Sequence, residues 1–183
     1  MATAAVPQVD WRAALWRYLV QTPNDFQGYD RRFFSRGLYV DALEGQSLRV
    51  FIGVDTSGSI DGEMLGIFLA EVEGILSAYP HIQAALYYVD YQIHGPYPLG
   101  RGDTPPQPKG GGGTSFVPFF DALEAEGVDD PYGQSVAVYL TDGYGEFPKA
   151  APIDTLWVVT PGGLDNEGFP FGEVVRLYGT DQP

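Results

Sequence analysis

The sequence predicts an α/β domain with a doubly wound, mostly parallel central sheet and an N-terminal helical arm. Three observations carry the prediction. The run Val50-Phe51-Ile52-Gly53-Val54 is short, unbroken and apolar, as in a strand buried on both faces of a parallel sheet. It ends abruptly in Asp55, Ser57 and Ser59, and an amphipathic stretch starts at once. The polar residues therefore fall where a strand's carboxyl end meets a helix start, the usual ligand position in an open α/β sheet. Further apolar runs then alternate with helical patterns along the chain.

The elements follow in order. Asp10 precedes Trp11, Leu15, Trp16, Tyr18 and Leu19, with Pro23 shortly after, which reads as an N-capped helix with a stop beyond its end. Asn24 to Gly37 has no clear period and reads as a loop, and Leu38 to Leu43 as a short strand or extended arm. Residues 1–47 are thus expected to form an arm packing on a domain of residues 48–183. After the central strand, Met64, Leu65, Phe68, Leu69, Val72, Ile75, Leu76 and Tyr79 recur at helical spacing until Pro80. Asp61 and Glu63 lie in the expected first turn, where acids suit the helix dipole. Ile82 to Val89 is the next strand. Gly95 to Gly113 turns to Pro and Gly, an exposed excursion with an edge strand near Tyr97. Phe119, Phe120 and Leu123 mark a helix ending near Gly127. Ser135 to Leu140, Thr155 to Thr160 and Val174 to Leu177 complete the strands.

With 183 residues, 44% of them hydrophobic, the chain is long enough for one domain with a sizeable core. Cysteine is absent, which excludes disulfides and thiolate metal sites. The net charge of -14 argues against nucleic acid and anionic membrane surfaces as partners. Met1-Ala-Thr-Ala-Ala carries no basic region, and no run reaches the length of a membrane span, so a cytoplasmic location is expected. Arg12, Arg17, Arg31, Arg32 and Arg36 all precede the central strand and are expected to pack against the acidic body, the alternative being a docking surface.

Three loops carry small oxygen donors on the ligand side of the sheet: Asp55, Ser57 and Ser59, then Thr114, then Asp142. Asp55 and Asp142 end two strands expected side by side. Two carboxylates ~5 Å apart repel by about 3 kcal/mol at an effective dielectric of about 20, and a divalent cation between them removes that cost. With no His or Cys among the donors, the set suits a hard cation. Each residue alone reads equally well as a helix cap; five in register do not.

Asp55-Thr56-Ser57-Gly58-Ser59, with Thr114 and Thr141-Asp142-Gly143 downstream, resembles the metal-ion-dependent adhesion site of von Willebrand factor A (VWA) domains. The resemblance implies a Rossmann-like VWA fold and a bound Mg²⁺ (or Mn²⁺ or Ca²⁺). It implies that Ser57, Ser59 and Thr114 are direct ligands, that Asp55 and Asp142 act largely through water, and that the cation takes a carboxylate from a protein partner. Gly113, Ser115, Gly143 and Tyr144 would then border the partner. A longer set, including Val9-Asp10-Trp11-Arg12, Arg31-Arg32-Phe33, Gly110 to Phe116, Leu140 to Gly145, Trp157 to Thr160 and Pro170-Phe171-Gly172, resembles a bacterial VWA-like family. Its members commonly follow a zinc-peptidase-like domain, and their genes often accompany MoxR-type AAA+ ATPases. The implied function is that of a binding module, an adaptor for such an ATPase or its client, and not an enzyme. No His-Glu-x-x-His occurs, and His81 and His94 are isolated, so peptidase activity is not carried over. Ser115 stands where that family would have an Asp; it is expected to cap the following helix.

Other motifs fail on their own chemistry. Lys109 precedes its glycines, whereas a phosphate-binding loop needs the Lys after them. Ser57 interrupts the Asp-Thr-Gly of aspartic proteases, and Asp55 and Ser59 replace both glycines of a Gly-x-Ser-x-Gly elbow. Arg101-Gly102-Asp103 in a Gly/Pro loop carries little information. The rival readings are a metal-dependent hydrolase with Asp90 as general base, and a structural domain with a degenerate site.

Overall fold

A computed structural model of the protein describes residues 4–20, 48–128 and 135–179. The expected loop at 24–37 and arm at 38–43, with Pro23, Arg31, Arg32 and Arg36, lie outside the described residues. The elements are α1 (Trp11–Val20), β1 (Arg49–Asp55), α2 (Gly62–Ser77), β2 (Gln83–Val89), β3 (Ile93–Leu99), α3 (Val117–Ala125), β4 (Ser135–Thr141), β5 (Thr155–Val159), a 3₁₀ turn (Asn166–Gly168) and β6 (Glu173–Arg176).

Six strands form one sheet in the order β3-β2-β1-β4-β5-β6. β2, β1, β4, β5 and β6 run parallel, and only β3 is antiparallel, returning from β2 through a hairpin. The sequence marked this strand only near Tyr97; it starts earlier, at Ile93, and carries Pro96 and Pro98. Those prolines are tolerable because the strand is an edge. β1 is the central strand, flanked by the strand that follows it on one side and by β4 on the other. The order reverses there, the place where open α/β sheets put their ligand crevice, outside the carboxyl ends of the strands.

The alternation of a strand divides the core in two. Val50, Ile52 and Val54 face α2 and α1, joining Leu15, Phe68, Ile75, Val138 and Val158. Phe51 faces α3 in an aromatic layer with Phe116, Phe119, Phe120, Tyr139 and Trp157. Gly53, next on that second face, leaves room for Tyr139: a Cβ there would meet the ring at 2.6 Å. Asp55 is the next residue on the same face. Helices thus cover both faces, as the alternating pattern requires.

Helix ends account for two departures from the sequence reading. Asp61 is the N-cap of α2, its carboxylate accepting from the Met64 N–H at 2.8 Å, so it precedes the first turn. Ser115 does not cap α3. That helix is entered through Phe116, makes no side-chain cap bond and has Pro118 in its first turn, where a missing N–H costs nothing. The Ser115 N–H is already given to the Asp90 carbonyl (3.1 Å).

The N-terminal segment is held by a buried acid. Glu71 on α2 accepts from Gln8 N–H (2.6 Å), Val9 N–H (3.3 Å) and Trp11 Nε1 (2.8 Å). Gly74, one turn on, leaves room for Pro7 and Trp11, which a Cβ would approach within 3 Å. Arg12 lies over the Tyr79 ring and Arg17 pairs with Glu173 at 2.9 Å, so these two arginines do find partners on the acidic body.

Candidate functional site

The loop after β1 turns on its own side chains. Asp55 is fully buried, and its Oδ1 accepts from the Ser57 N–H at 2.9 Å. That bond draws the chain back on itself so that Ser57 and Ser59 point the same way, their hydroxyls 3.2 Å apart. From β4, Thr141 Oγ1 donates to Asp55 Oδ2 at 2.6 Å and accepts from Gly143 N–H at 3.0 Å. Asp142 Oδ2 accepts from Ser59 Oγ at 2.7 Å, and its Oδ1 from Tyr144 N–H at 3.1 Å. Asp55, Ser57, Ser59 and Asp142 therefore form one connected polar rim across the β1/β4 boundary.

Thr114 arrives on a separate loop packed between the other two. Thr56 Oγ1 donates to the Lys109 carbonyl (2.7 Å) and Gly58 N–H to the Gly112 carbonyl (3.0 Å). The passage is so close that a Cβ on Gly110, whose φ is +144°, would lie 2.1 Å from Thr56 Oγ1. On its other side the loop bridges to the β4 loop through Ser115 and Glu146, and the Thr114 methyl packs on Gly145. The Thr114 hydroxyl makes no hydrogen bond among the described residues, so it is beside the rim without being bonded into it. Gly113 is exposed, Gly143 is buried against Leu164 and Phe169, and Tyr144 is exposed.

Asp90 is a clamp. Its Oδ1 accepts from Gln92 N–H (2.8 Å), its Oδ2 from Gly112 N–H (3.2 Å), and it is nearly buried, with His94 Nε2 at 3.8 Å. A carboxylate spent on the backbone of the glycine loop is poorly placed to take a proton from water. Behind Asp142, Leu164 N–H bonds its carbonyl (2.8 Å), and Arg176 on β6 holds that loop through the Leu164 carbonyl (2.6 Å) and Asn166 (2.8 Å).

The electrostatics are unbalanced at Asp55. Burial pushes its carboxyl up, against the hydrogen bonds from Ser57 and Thr141, and the Asp142 charge adds to the upward push. The Tyr139 phenol beneath is buried without a hydrogen-bond partner, and burial, then the charges of Asp55 and Asp90, push it well above its ordinary value. Among the described residues no group of three or more His, Cys, Asp or Glu surrounds a point. The rim instead offers two carboxylates and neutral hydroxyls, all hard oxygen donors, a set that fits a divalent cation of the Mg²⁺ type and not a softer metal.

The sequence reading missed Thr141, Asp90 and Arg176 as the residues that set the loops. Thr141 had a signal, being the polar end of an apolar strand. The role of Asp90 and Arg176 depends on loops distant in sequence, and nothing local announces it.

A family model described as a VWA-like domain (DUF2201) matches residues 50–178. The crystal structure of the ArnB paralog VWA2 from Sulfolobus acidocaldarius is similar in fold, with a TM-score of 0.52 at 17% identity, over 67% of this chain and 37% of that one. The chain thus spans little more than a third of that protein. No curated protein matches.

Proposed function

From the premise that this chain belongs to the VWA-like domain family (DUF2201), we propose that it is a divalent-metal-dependent protein-binding module. The Ser57, Ser59 and Asp142 rim, with Asp55 behind it and Thr114 beside it, would hold Mg²⁺, or Mn²⁺ or Ca²⁺ in its place. When bound, the cation supplies a Lewis-acidic position for a carboxylate of a protein partner. The single observation that supports this most is the chain of contacts from Asp55 through Ser57 and Ser59 to Asp142. It joins two strand ends that meet only in the folded sheet, around a buried carboxyl that burial and a second carboxylate both disfavour as an anion.

Each residue has a part in the proposal. Asp55 supplies charge from behind and orients the Ser57 N–H. Thr141 fixes Asp55. Ser57 and Ser59 present neutral oxygens, so a bound cation keeps most of its charge for the partner. Asp90 and Gly112 hold the loop that carries Thr114. In this reading the module binds and does not turn over a substrate. The partner class is a MoxR-type AAA+ ATPase or a client of one, and the location cytoplasmic. No helix among the described residues is long and apolar enough to cross a membrane.

The test is thermal unfolding with and without Mg²⁺, Mn²⁺ or Ca²⁺. A cation at ~100 times its Kd adds about 2.7 kcal/mol to the stability of the folded state. The melting temperature of the wild type should rise by several degrees, and Ser59→Ala and Thr114→Ala should each shrink that rise. No rise in the wild type with any of the three cations would sink the proposal.

A further inference from the structure

Four large apolar or aromatic side chains are exposed among the described residues, and two of them, Tyr91 at 59% and Tyr144 at 58%, border the rim. Tyr91 is in the turn between β2 and β3. Its ring lies against Gly112, where a Cβ would meet Cδ1 and Cε1 at 2.4 Å, so that glycine leaves room for the ring beside the loop. Tyr144 follows the Asp142-Gly143 turn and is anchored by its N–H on Asp142 Oδ1. One ring is thus on the β2 side of the Ser57 and Ser59 hydroxyls and the other on the β4 side, because β1 lies between those strands. The strands that carry the two turns, β2 and β4, are two inter-strand spacings or about 10 Å apart, a distance that about three residues of extended peptide cross.

The charge around the rings points to what they meet. Among the described residues Glu63 in the first turn of α2, its cap Asp61, and Glu146 two residues past Tyr144 are exposed and acidic, and with Asp142 they outnumber the exposed Lys109 and Lys149 of the same loops. The chain as a whole carries -14. A partner acidic throughout would be repelled from this rim, and one carboxylate aimed at a cation would not offset several like-charge encounters. Lysine or arginine beside that carboxylate meets the acidic surround and stacks on exposed tyrosine faces.

Resting on the metal-dependent reading above, we infer that Tyr91 and Tyr144 are the two aromatic flanks of the rim and that they select a peptide segment whose single acidic side chain is bracketed, within one or two residues on each side, by lysine or arginine. The rings set the spacing of the brackets and the acidic surround sets their sign.

Binding of short fluorescent peptides tests this, at one ionic strength, with Mg²⁺ and with chelator. Each peptide has one central Asp, bracketed by Lys/Arg, by Leu or by Glu, and a fourth has Asn in place of Asp between Lys/Arg. The Lys/Arg-bracketed Asp peptide should bind tightest. Tyr91→Ala and Tyr144→Ala should each weaken it about threefold and the double variant about tenfold, while Tyr→Phe at both positions retains it. The Mg²⁺ effect on melting is measured on every protein alongside. Equal or tighter binding of the Leu or Glu peptide, indifference to both rings, or no binding of any peptide overturns the inference. The metal-dependent reading fails separately, by loss of the Mg²⁺ shift in the wild type or by equal binding of the Asp and Asn peptides.

Discussion

Asp55 and Glu71 are both fully buried acids, yet they belong to opposite kinds of region. Glu71 sits on α2 and receives three donors from the N-terminal segment, which the chain itself supplies within 3.3 Å. Asp55 sits at the sheet rim with two donors, a second carboxylate close enough to disfavour its charge, and an unpartnered phenol below. A structural acid is one whose needs the fold meets completely. Asp55 has one donor fewer and a like charge close by, and such an acid is the better candidate for a functional role. Burial alone therefore does not separate structure from function; the account of what faces each oxygen does.

The largest effect should fall on the structural acid. Glu71→Ala removes the acceptor from three donors and should cost about 3 kcal/mol in urea unfolding, equally with and without Mg²⁺. A loss below ~1 kcal/mol would mean that those donors reach water and that the anchor is not what holds the segment. Asp55→Asn should act the other way. It should abolish the stabilisation by Mg²⁺, about 2.7 kcal/mol at ~100 times Kd, yet leave the metal-free protein within ~1 kcal/mol of the wild type, since a repulsion is relieved as a hydrogen bond is weakened. A severe loss without metal would place Asp55 in the same class as Glu71.

The pH dependence follows from the raised carboxyl of Asp55. Its folded form holds a proton more tightly than the unfolded chain does. Metal-free stability should therefore fall as pH rises from the ordinary carboxylate range through the raised folded value, and the slope should flatten in Asp55→Asn. With Mg²⁺ present the trend should turn over, because the cation competes with the proton for the same oxygens. A metal-free curve identical in wild type and Asp55→Asn contradicts this. The smallest effect should be at Tyr139→Phe, which deletes a buried hydroxyl without a partner; stability should be unchanged or higher by about 1 kcal/mol. A marked loss would reveal a bridging water between that phenol and Asp55 or Asp90.

Much of this was readable in the sequence where physics is local. The unbroken apolar run at Val50–Val54, the alternation of strands and helices, and the polar break after each strand are consequences of burial on both faces, and they fixed the sheet and the side on which Asp55, Ser57, Ser59, Thr114 and Asp142 lie. Glu71 also had a signal that passed unread: three residues after Phe68 and four before Ile75, it is an acid inside an apolar stripe. The expected cap at Ser115 is off by one residue: the cap position of the helix is Phe116, so the Ser115 hydroxyl stands outside the turn it would have to bond, while its backbone is held by the Asp90 carbonyl on another strand end.

Hydrophobic period and turn chemistry act over a few residues, so the order of residues suffices to say which elements form and which of their ends are polar. Which strands become neighbours, which hydroxyl meets which carboxylate, and which buried acid is fully answered depend on contacts between segments as far apart as Ser59 and Asp142. Those contacts exist only after loop closure and packing have selected one arrangement among many of similar local preference. The difference between Asp55 and Glu71 is therefore a property of the folded surroundings and not of the residues themselves.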